Sequence, residues 1–257
     1  ALHDGRGWLV DRYVIEGYSS LGQPARVPSP TLRVRALGLT RAVGGFEALP
    51  AMADELCDVI RGPIEGLLQP GSHCPRPELG AGALDGAGFA DAAFTATRLR
   101  AVLGPDRDFS VLHLGTHFAL RPGNARRSYL VLGDGERLTL DAIGDLDFAG
   151  LSLVTLSACQ SGLGGAIGDD GREIEGLSGM VQRRGARRVV ASLWRVEDAS
   201  TARLMRAMYA ELKSNEGDVA AALQSAQREV RDERKGLSRP HSHPFYWAGL
   251  LVSGARQ

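Results

Sequence analysis

Two stretches of almost unbroken hydrophobic residues lie in the middle of the chain. They are FSVLHLGTH (109–117) and LSLVTLSAC (151–159). Strands that are covered on both faces of a parallel sheet have this composition, whereas a strand with one face in water alternates apolar and polar residues. The two stretches therefore predict buried strands at the centre of a sheet.

The segments around them have the periodicity of further strands and helices. Strands are predicted at 31–39, 187–194 and 245–254, with a pair of short strands or a hairpin at 8–18. Helices are predicted at 46–60, 90–103 and 174–184, and two more follow before the last strand. Strands that alternate with helices indicate an α/β fold, in which helices cover both faces of a mostly parallel sheet.

One long segment lacks both patterns. Residues 69–90 are rich in Gly, Pro and Ala and contain few large apolar side chains, so we expect a mobile surface loop there. The length of 257 residues is sufficient for one large hydrophobic core. We expect a single domain over residues 1–257, although the length also permits two small ones.

Charge and composition exclude several classes of protein. The chain has 30 basic and 30 acidic side chains, which argues against direct binding of nucleic acid or of a membrane surface. It contains no apolar run long enough for a membrane span, and Asp4 and Arg6 interrupt the first residues, unlike a secretion signal. Three cysteines without close pairing make a disulfide framework or a zinc site unexpected and favour a reducing, cytoplasmic location.

Both buried strands end on side chains that are suited to nucleophilic catalysis. The first ends at His117 and the second at Cys159, and function in open α/β sheets concentrates at the carboxyl ends of the strands. A neighbouring histidine can act as a base for a cysteine, whose thiolate is the nucleophile. Each residue alone is more often structural, but their joint position favours a catalytic pair.

Several motifs, in order along the chain, resemble the CHAT family of caspase-like cysteine peptidases. They are ALHDGRGWLVDRYVI, GLTRAVGGFEALP, GTHFALRPGN, LVTLSACQSGLG, GREIEGLSGMVQRRGARRVVASLWRVED and HPFYWAGLLVSG. The resemblance implies a caspase-like three-layer sandwich with a mostly parallel, six-stranded central sheet. It also implies a catalytic dyad of Cys159 as nucleophile and His117 as general acid and base, with no third orienting acid.

The resemblance further implies an oxyanion hole formed by the backbone N–H groups of Cys159 and Phe118. Relatives often have glycine at the second position, so the ability of Phe118 to reach the required geometry is open. Several residues are candidates for binding the substrate. These are Ser157, Asp169, Asp170, Trp194, Arg195 and Asp198. Relatives that cleave after arginine often carry Asp at the position of Ser157. Asp169 and Asp170 more often serve the dipole of the helix that follows them. For Asp198 we favour the role of N-cap of the next helix.

The remaining histidines and cysteines are interpreted as structural. His113 and His117 would lie on one face of a strand but about 13 Å apart, too far for one metal ion. We therefore expect His113 to be a core residue that donates a hydrogen bond, and His243 to anchor the start of the last strand. Cys57 is expected to be packed in a helix and Cys74 to be exposed in a loop.

The leading hypothesis is a cysteine endopeptidase that cleaves protein substrates through a thioester intermediate. The alternatives are a catalytically silent caspase-like module for binding or signalling, towards which Phe118 points, and a hydrolase of small amides. Thiol chemistry requires neither a metal nor an organic cofactor. The resemblance also implies an upstream or separate regulatory region, such as helical repeats, outside this chain.

Overall fold

The computed structural model describes residues 2–18, 32–68, 74, 76, 79–119, 127–157, 172–194, 196–215, 217–234 and 241–254. Within these residues, twelve strands form a sheet of nine strands and a sheet of three. The strands of the large sheet are β1 (Glu16–Tyr18), β2 (Val34–Gly38), β3 (Ile60–Glu65), β4 (Leu79–Ala81), β5 (Leu84–Ala90), β6 (Val111–Gly115), β10 (Leu153–Ser157), β11 (Arg188–Ser192) and β12 (Leu250–Gly254). The small sheet contains β7 (Phe118–Ala119), β8 (Tyr129–Val131) and β9 (Arg137–Thr139).

Helices flank the large sheet. They are α1 (Ala51–Val59), α2 (Ala96–Val102), α3 (Leu140–Gly144), α4 (Arg172–Arg183), α5 (Asp198–Ser214), α6 (Val219–Asp232) and α7 (Pro244–Trp247). One hydrophobic cluster joins the strands to α1, α5, α6 and α7, and a second joins them to α2, α3 and α4. Neighbouring strand residues alternate between the clusters, as Val111 and Leu112 do. The molecule is therefore a three-layer α/β sandwich.

The large sheet has the strand order β1-β12-β11-β10-β6-β2-β5-β3-β4 and is mostly parallel. Antiparallel pairing occurs between β11 and β12 and between β3 and β4. At the centre, β10, β6, β2 and β5 run in the same direction. Gly115 at the end of β6 is level with Ser157 at the end of β10 and with Gly38 at the end of β2. Four strands therefore present their carboxyl ends at one edge.

The fold class predicted from the sequence is confirmed, but the sheet is wider than the six strands expected. The expectation of a loop over 69–90 is wrong for residues 79–90, which contain β4 and β5. Residues 69–73, 75, 77 and 78 lie outside the described residues. Glycines in β5 serve close packing, since a Cβ atom on Gly86 would collide with the carbonyl oxygen of Val34 on β2.

Two other predicted elements have different boundaries. The helix expected at 46–60 begins only at Ala51, and Ile60 already belongs to β3. The strand expected at 245–254 begins at Leu250 and is preceded by the one-turn helix α7. His243 therefore does not anchor a strand. It is the N-cap of α7, where its Nδ1 accepts a hydrogen bond from Phe245 N–H.

Cys57 and Cys74 form a disulfide, contrary to the expectation from the sequence. Cys57 is buried in α1, as predicted. The Cα atoms of the two residues are 5.4 Å apart, within the usual range for a disulfide. The pairing was hidden because the third cysteine makes the count odd and 17 positions separate the two partners.

Among the described residues, no helix is both long and apolar enough to traverse a membrane.

Candidate functional site

His117 lies two residues beyond the end of β6, at the edge where the four central strands end. Its side chain is only 1% exposed. The backbone is held by the small sheet: the carbonyl oxygen of His117 accepts a hydrogen bond from Val131 N–H at 3.0 Å, and the Thr116 hydroxyl donates to the carbonyl oxygen of Val131. The position of the residue is therefore fixed from the side of β8.

The imidazole ring of His117 is held by a different segment. Its Nε2 atom is 2.8 Å from the carbonyl oxygen of Glu47, and the ring stacks on Phe46 with centroids 5.1 Å apart and an interplanar angle of 29°. Because a carbonyl oxygen can only accept, this hydrogen bond requires the proton on Nε2. Nδ1 is then the ring atom that can take up a proton. Sequence analysis could not indicate Glu47, since the contact is made by a main-chain carbonyl group, which every residue has.

Cys159 lies outside the described residues. The strand that leads to it, β10, is described up to Ser157 and pairs directly with β6. Thr155 is the register partner of His113, and Ser157 is the partner of Gly115. Ser157 is 5% exposed, and its hydroxyl has no hydrogen-bond partner among the described residues.

The backbone N–H of Phe118 is directed away from β8. Phe118 pairs with Leu130 in an antiparallel ladder, and Val131 N–H bonds to the carbonyl oxygen of His117. In such a ladder the hydrogen-bonded pairs alternate with pairs whose N–H groups point outwards, and Phe118 belongs to the second kind. Its φ angle is not positive, because Asp91 is the one non-glycine residue with a positive φ in the described part of the chain. Glycine is therefore not needed at this position.

Of the remaining substrate-contact candidates, the structure describes Trp194 and Asp198, while Asp169, Asp170 and Arg195 lie outside the described residues. Trp194 follows β11, is half-buried, and donates from its indole Nε1 to the carbonyl oxygen of Phe245 at 3.3 Å. The expectation that Asp198 is the N-cap of its helix is wrong, because Glu197 holds that position.

Asp198 instead binds the beginning of another helix. Its Oδ2 atom accepts a hydrogen bond from the N–H of Ala51, the first residue of α1, at 2.8 Å. The pKa of Asp198 is raised to about 6, chiefly by burial and with a smaller contribution from the carboxylates of Glu55 and Glu197, while the hydrogen bond from Ala51 opposes the shift. Asp198 therefore links α5 to α1, the helix that follows Phe46 and Glu47 in the sequence.

A polar network is buried between the sheet and helices α1 and α5. His113 Nε2 is 3.0 Å from Glu55 Oε1, and both side chains are inaccessible to solvent. His113 Nδ1 is 3.2 Å from the hydroxyl of Tyr209, which donates to Thr155 Oγ1 at 2.9 Å. Burial raises the pKa of Tyr209, so this hydroxyl is neutral. His113 is thus the core histidine that the sequence predicted.

Comparison with family models identifies the family of this chain. The family model of the CHAT domain matches residues 1–255. Among solved structures, the chain is similar to an Arg-specific cysteine proteinase, gingipain R, with 11% sequence identity and a TM-score of 0.47. The alignment covers 90% of this chain and 48% of the gingipain chain, so this chain spans about half the length of that structure. No curated protein matches the chain.

Proposed function

We propose that this chain, which belongs to the CHAT domain family, is a cysteine endopeptidase whose nucleophile is Cys159 and whose general acid and base is His117. The observation that carries the proposal is the fixed ring of His117, held through Nε2 beside the strand that leads to Cys159. Ser157 and Gly115 are register partners, and each lies two residues before a member of the dyad. The two proposed residues therefore follow the ends of neighbouring parallel strands, where side chains from both strands can reach a common site.

The proposed reaction begins with transfer of the Cys159 thiol proton to His117 Nδ1. The thiolate attacks the carbonyl carbon of the scissile peptide, and the imidazolium then protonates the leaving amine, which leaves a thioester on Cys159. His117 next removes a proton from water, and the resulting hydroxide cleaves the thioester and restores the thiol. The carbonyl oxygen of Glu47 keeps the proton on Nε2 and stabilises the ring when it is charged.

The backbone N–H of Phe118 is proposed as one oxyanion donor and that of Cys159 as the second. The outward direction of the Phe118 N–H supports this role. The lack of glycine at this position therefore no longer favours a silent scaffold. A donor of this kind typically contributes about 10²–10³ in rate. We keep Ser157 and Trp194 as proposed substrate contacts, together with Asp169, Asp170 and Arg195. Asp198 is assigned to α1 instead, because its carboxylate binds Ala51.

Cleavage assays with a peptide library and unfolded proteins test the proposal. We expect Cys159→Ala and His117→Ala to abolish cleavage, while His3→Ala, a change at an exposed histidine, leaves it intact. Persistent cleavage by the Cys159→Ala protein would overturn the assignment.

Alkylation with iodoacetamide separates the alternatives, because Cys57 and Cys74 are held in a disulfide and Cys159 is the remaining cysteine. Rapid alkylation of Cys159 at neutral pH, slowed in His117→Ala, is expected for the dyad. A Cys159 that reacts no faster than a cysteine in the unfolded chain would favour the silent binding module. Turnover of small amides without protein cleavage would favour the small-amide hydrolase.

A further inference from the structure

Asp91 is a buried carboxylate at the end of β5, outside direct contact with the His117 ring. It is 2% exposed, and its φ angle of 48° lies in the left-handed region, which non-glycine residues seldom adopt. Such a conformation costs free energy and persists where the surrounding structure holds it, often at functional sites. The contacts of Asp91 show what holds it.

The carboxylate binds the first two residues of the segment that contacts His117. Its Oδ1 atom accepts hydrogen bonds from the backbone N–H groups of Thr40 at 2.8 Å and Arg41 at 3.2 Å. Its Oδ2 atom accepts from the Thr40 hydroxyl at 2.7 Å and lies 3.3 Å from Arg41 Nε. Burying a carboxylate is costly unless it is paired and hydrogen-bonded, and here both oxygens are engaged.

The segment that begins at Thr40 is a closed loop, the Thr40–Leu49 loop. Leu49 N–H bonds to the carbonyl oxygen of Thr40 at 3.2 Å and closes its base. Val43 and Phe46 form an antiparallel bridge across Gly44 and Gly45, whose φ angles are +58° and +86°. This turn needs two residues with positive φ, which glycine adopts readily. Phe46 and Glu47, which both contact the His117 ring, therefore belong to a unit whose base is fastened to Asp91.

Asp91 also contacts the other support of His117. Gly133 lies in the turn between β8 and β9, and a Cβ atom there would collide with the carbonyl oxygen of Asp91. Gly133 N–H donates a hydrogen bond to the carbonyl oxygen of Phe94. Phe94 N–H in turn donates to the carbonyl oxygen of Asp91. The strand before this turn, β8, holds the His117 backbone through Val131. The loop that contacts the His117 ring and the turn that follows β8 thus both contact Asp91.

We infer that Asp91 is a positioning residue for His117, acting through the Thr40–Leu49 loop to keep the Glu47 carbonyl oxygen on His117 Nε2. The inference rests on the proposed function, since it assigns the role of the loop within that dyad. Without the carboxylate, the N–H groups of Thr40 and Arg41 lose their acceptor. The loop then shifts, and the ring is no longer restricted to the tautomer and orientation in which Nε2 carries the proton and donates to Glu47. Displacements of about 1 Å at a catalytic group can cost 10²-fold in rate.

The test compares Asp91→Ala and Asp91→Asn with a matched control, Asp85→Asn, which changes an exposed carboxylate on the same strand. The ring nitrogen chemical shifts of His117 are measured by NMR, together with the rate of Cys159 alkylation from pH 5 to 9. In the wild-type protein the neutral His117 ring is expected to carry its proton on Nε2. In Asp91→Ala we expect a mixture of tautomers, an altered pH profile and at least about a 10-fold slower alkylation at pH 7.

Asp91→Asn keeps an oxygen for the two backbone N–H groups but loses the charge, so an intermediate effect is expected; this variant also serves if Asp91→Ala fails to fold. The inference would be overturned if the folded Asp91→Asn and Asp91→Ala proteins had the same His117 chemical shifts and the same alkylation profiles as the wild type. Failure of the proposed function is distinguishable from this. An unreactive Cys159 in the wild-type protein would contradict the peptidase, while the His117 shifts would still report the contact with Glu47.

Discussion

At the scale of single residues, buried polar groups connect helices α1 and α5 to the central strands of the sheet. The His113–Glu55 pair joins β6 to α1, and Asp198 joins the first residue of α5 to that of α1. Removing one partner of a buried polar contact leaves the other group without a hydrogen-bond partner, which is more costly than the same change at the surface. The start of α1 is thus held by Asp198 and its middle by His113, and the Thr40–Leu49 loop leads directly into the helix.

Asp198 gives the stability of the protein a defined pH dependence. Its pKa is raised from 3.8 to about 6 in the folded state, so the folded state retains the proton more strongly than the unfolded chain. The stabilisation is present at low pH and is lost as the pH rises from about 4 through about 6. For Asp198→Asn, whose amide oxygen can still accept from Ala51 N–H, we expect about 1–2 kcal/mol more stability than the wild type at pH 7. This range is smaller than the full pKa shift would imply, because the Asp198 side chain is partly exposed and water screens its charge.

Urea denaturation at pH 4, 5, 6 and 7 checks this expectation. The free energies of unfolding of the two proteins should converge near pH 4 and diverge above it. Asp145→Asn, at a highly exposed position, should keep the wild-type pH dependence. If Asp198→Asn were less stable than the wild type at pH 7, the charged carboxylate would be stabilising the start of α1, opposite to the sign argued here.

At the scale of elements, the sequence predicted best those segments whose side chains are buried on both faces or repeat along one helix face. β6, β10 and α4 are of this kind. β5 was missed because its glycines replace the side chains that reveal a strand. The start of α1 was misplaced because Phe46 and Leu49 have helical spacing, yet they belong to a loop whose shape depends on the distant Asp91. Contacts between strands override local periodicity at these points.

The close approach of β2 and β5 can be tested with Gly86→Ala. A methyl group at this position would meet the carbonyl oxygen and side chain of Val34, so the strands must separate or shift. Overpacking of this kind costs about 1–3 kcal/mol. Chemical denaturation should therefore show a lower midpoint. Gly7→Ala, at a position where a Cβ atom meets nothing within 4 Å, serves as the control. An unchanged midpoint for Gly86→Ala would contradict the register of β2 and β5.

At the scale of the whole molecule, strand order gathers the site from remote parts of the sequence. β10, β6, β2 and β5 are neighbours, and their carboxyl ends lead to Cys159, His117, Thr40 and Asp91 respectively. His117 and Cys159 could be proposed as a pair from the sequence because each ends an apolar stretch of the chain. Glu47 and Asp91 could not, since one acts through its main chain and the other reaches the site only through the order of the strands.

The Cys57–Cys74 disulfide is a further long-range constraint, and it fastens the end of α1 to a segment 17 positions away. Closing a loop of this size stabilises a folded protein by roughly 3 kcal/mol in the chain-entropy description. Reduction with dithiothreitol should therefore lower the free energy of unfolding by about that amount. Cys74→Ala should match the reduced protein and be insensitive to the reductant. Thiol titration of the unfolded chain should find one free thiol before reduction and three after it, since the sequence contains three cysteines. Three free thiols before reduction would show that Cys57 and Cys74 are not bonded. The reducing location expected from the sequence would then account for the reduced cysteines.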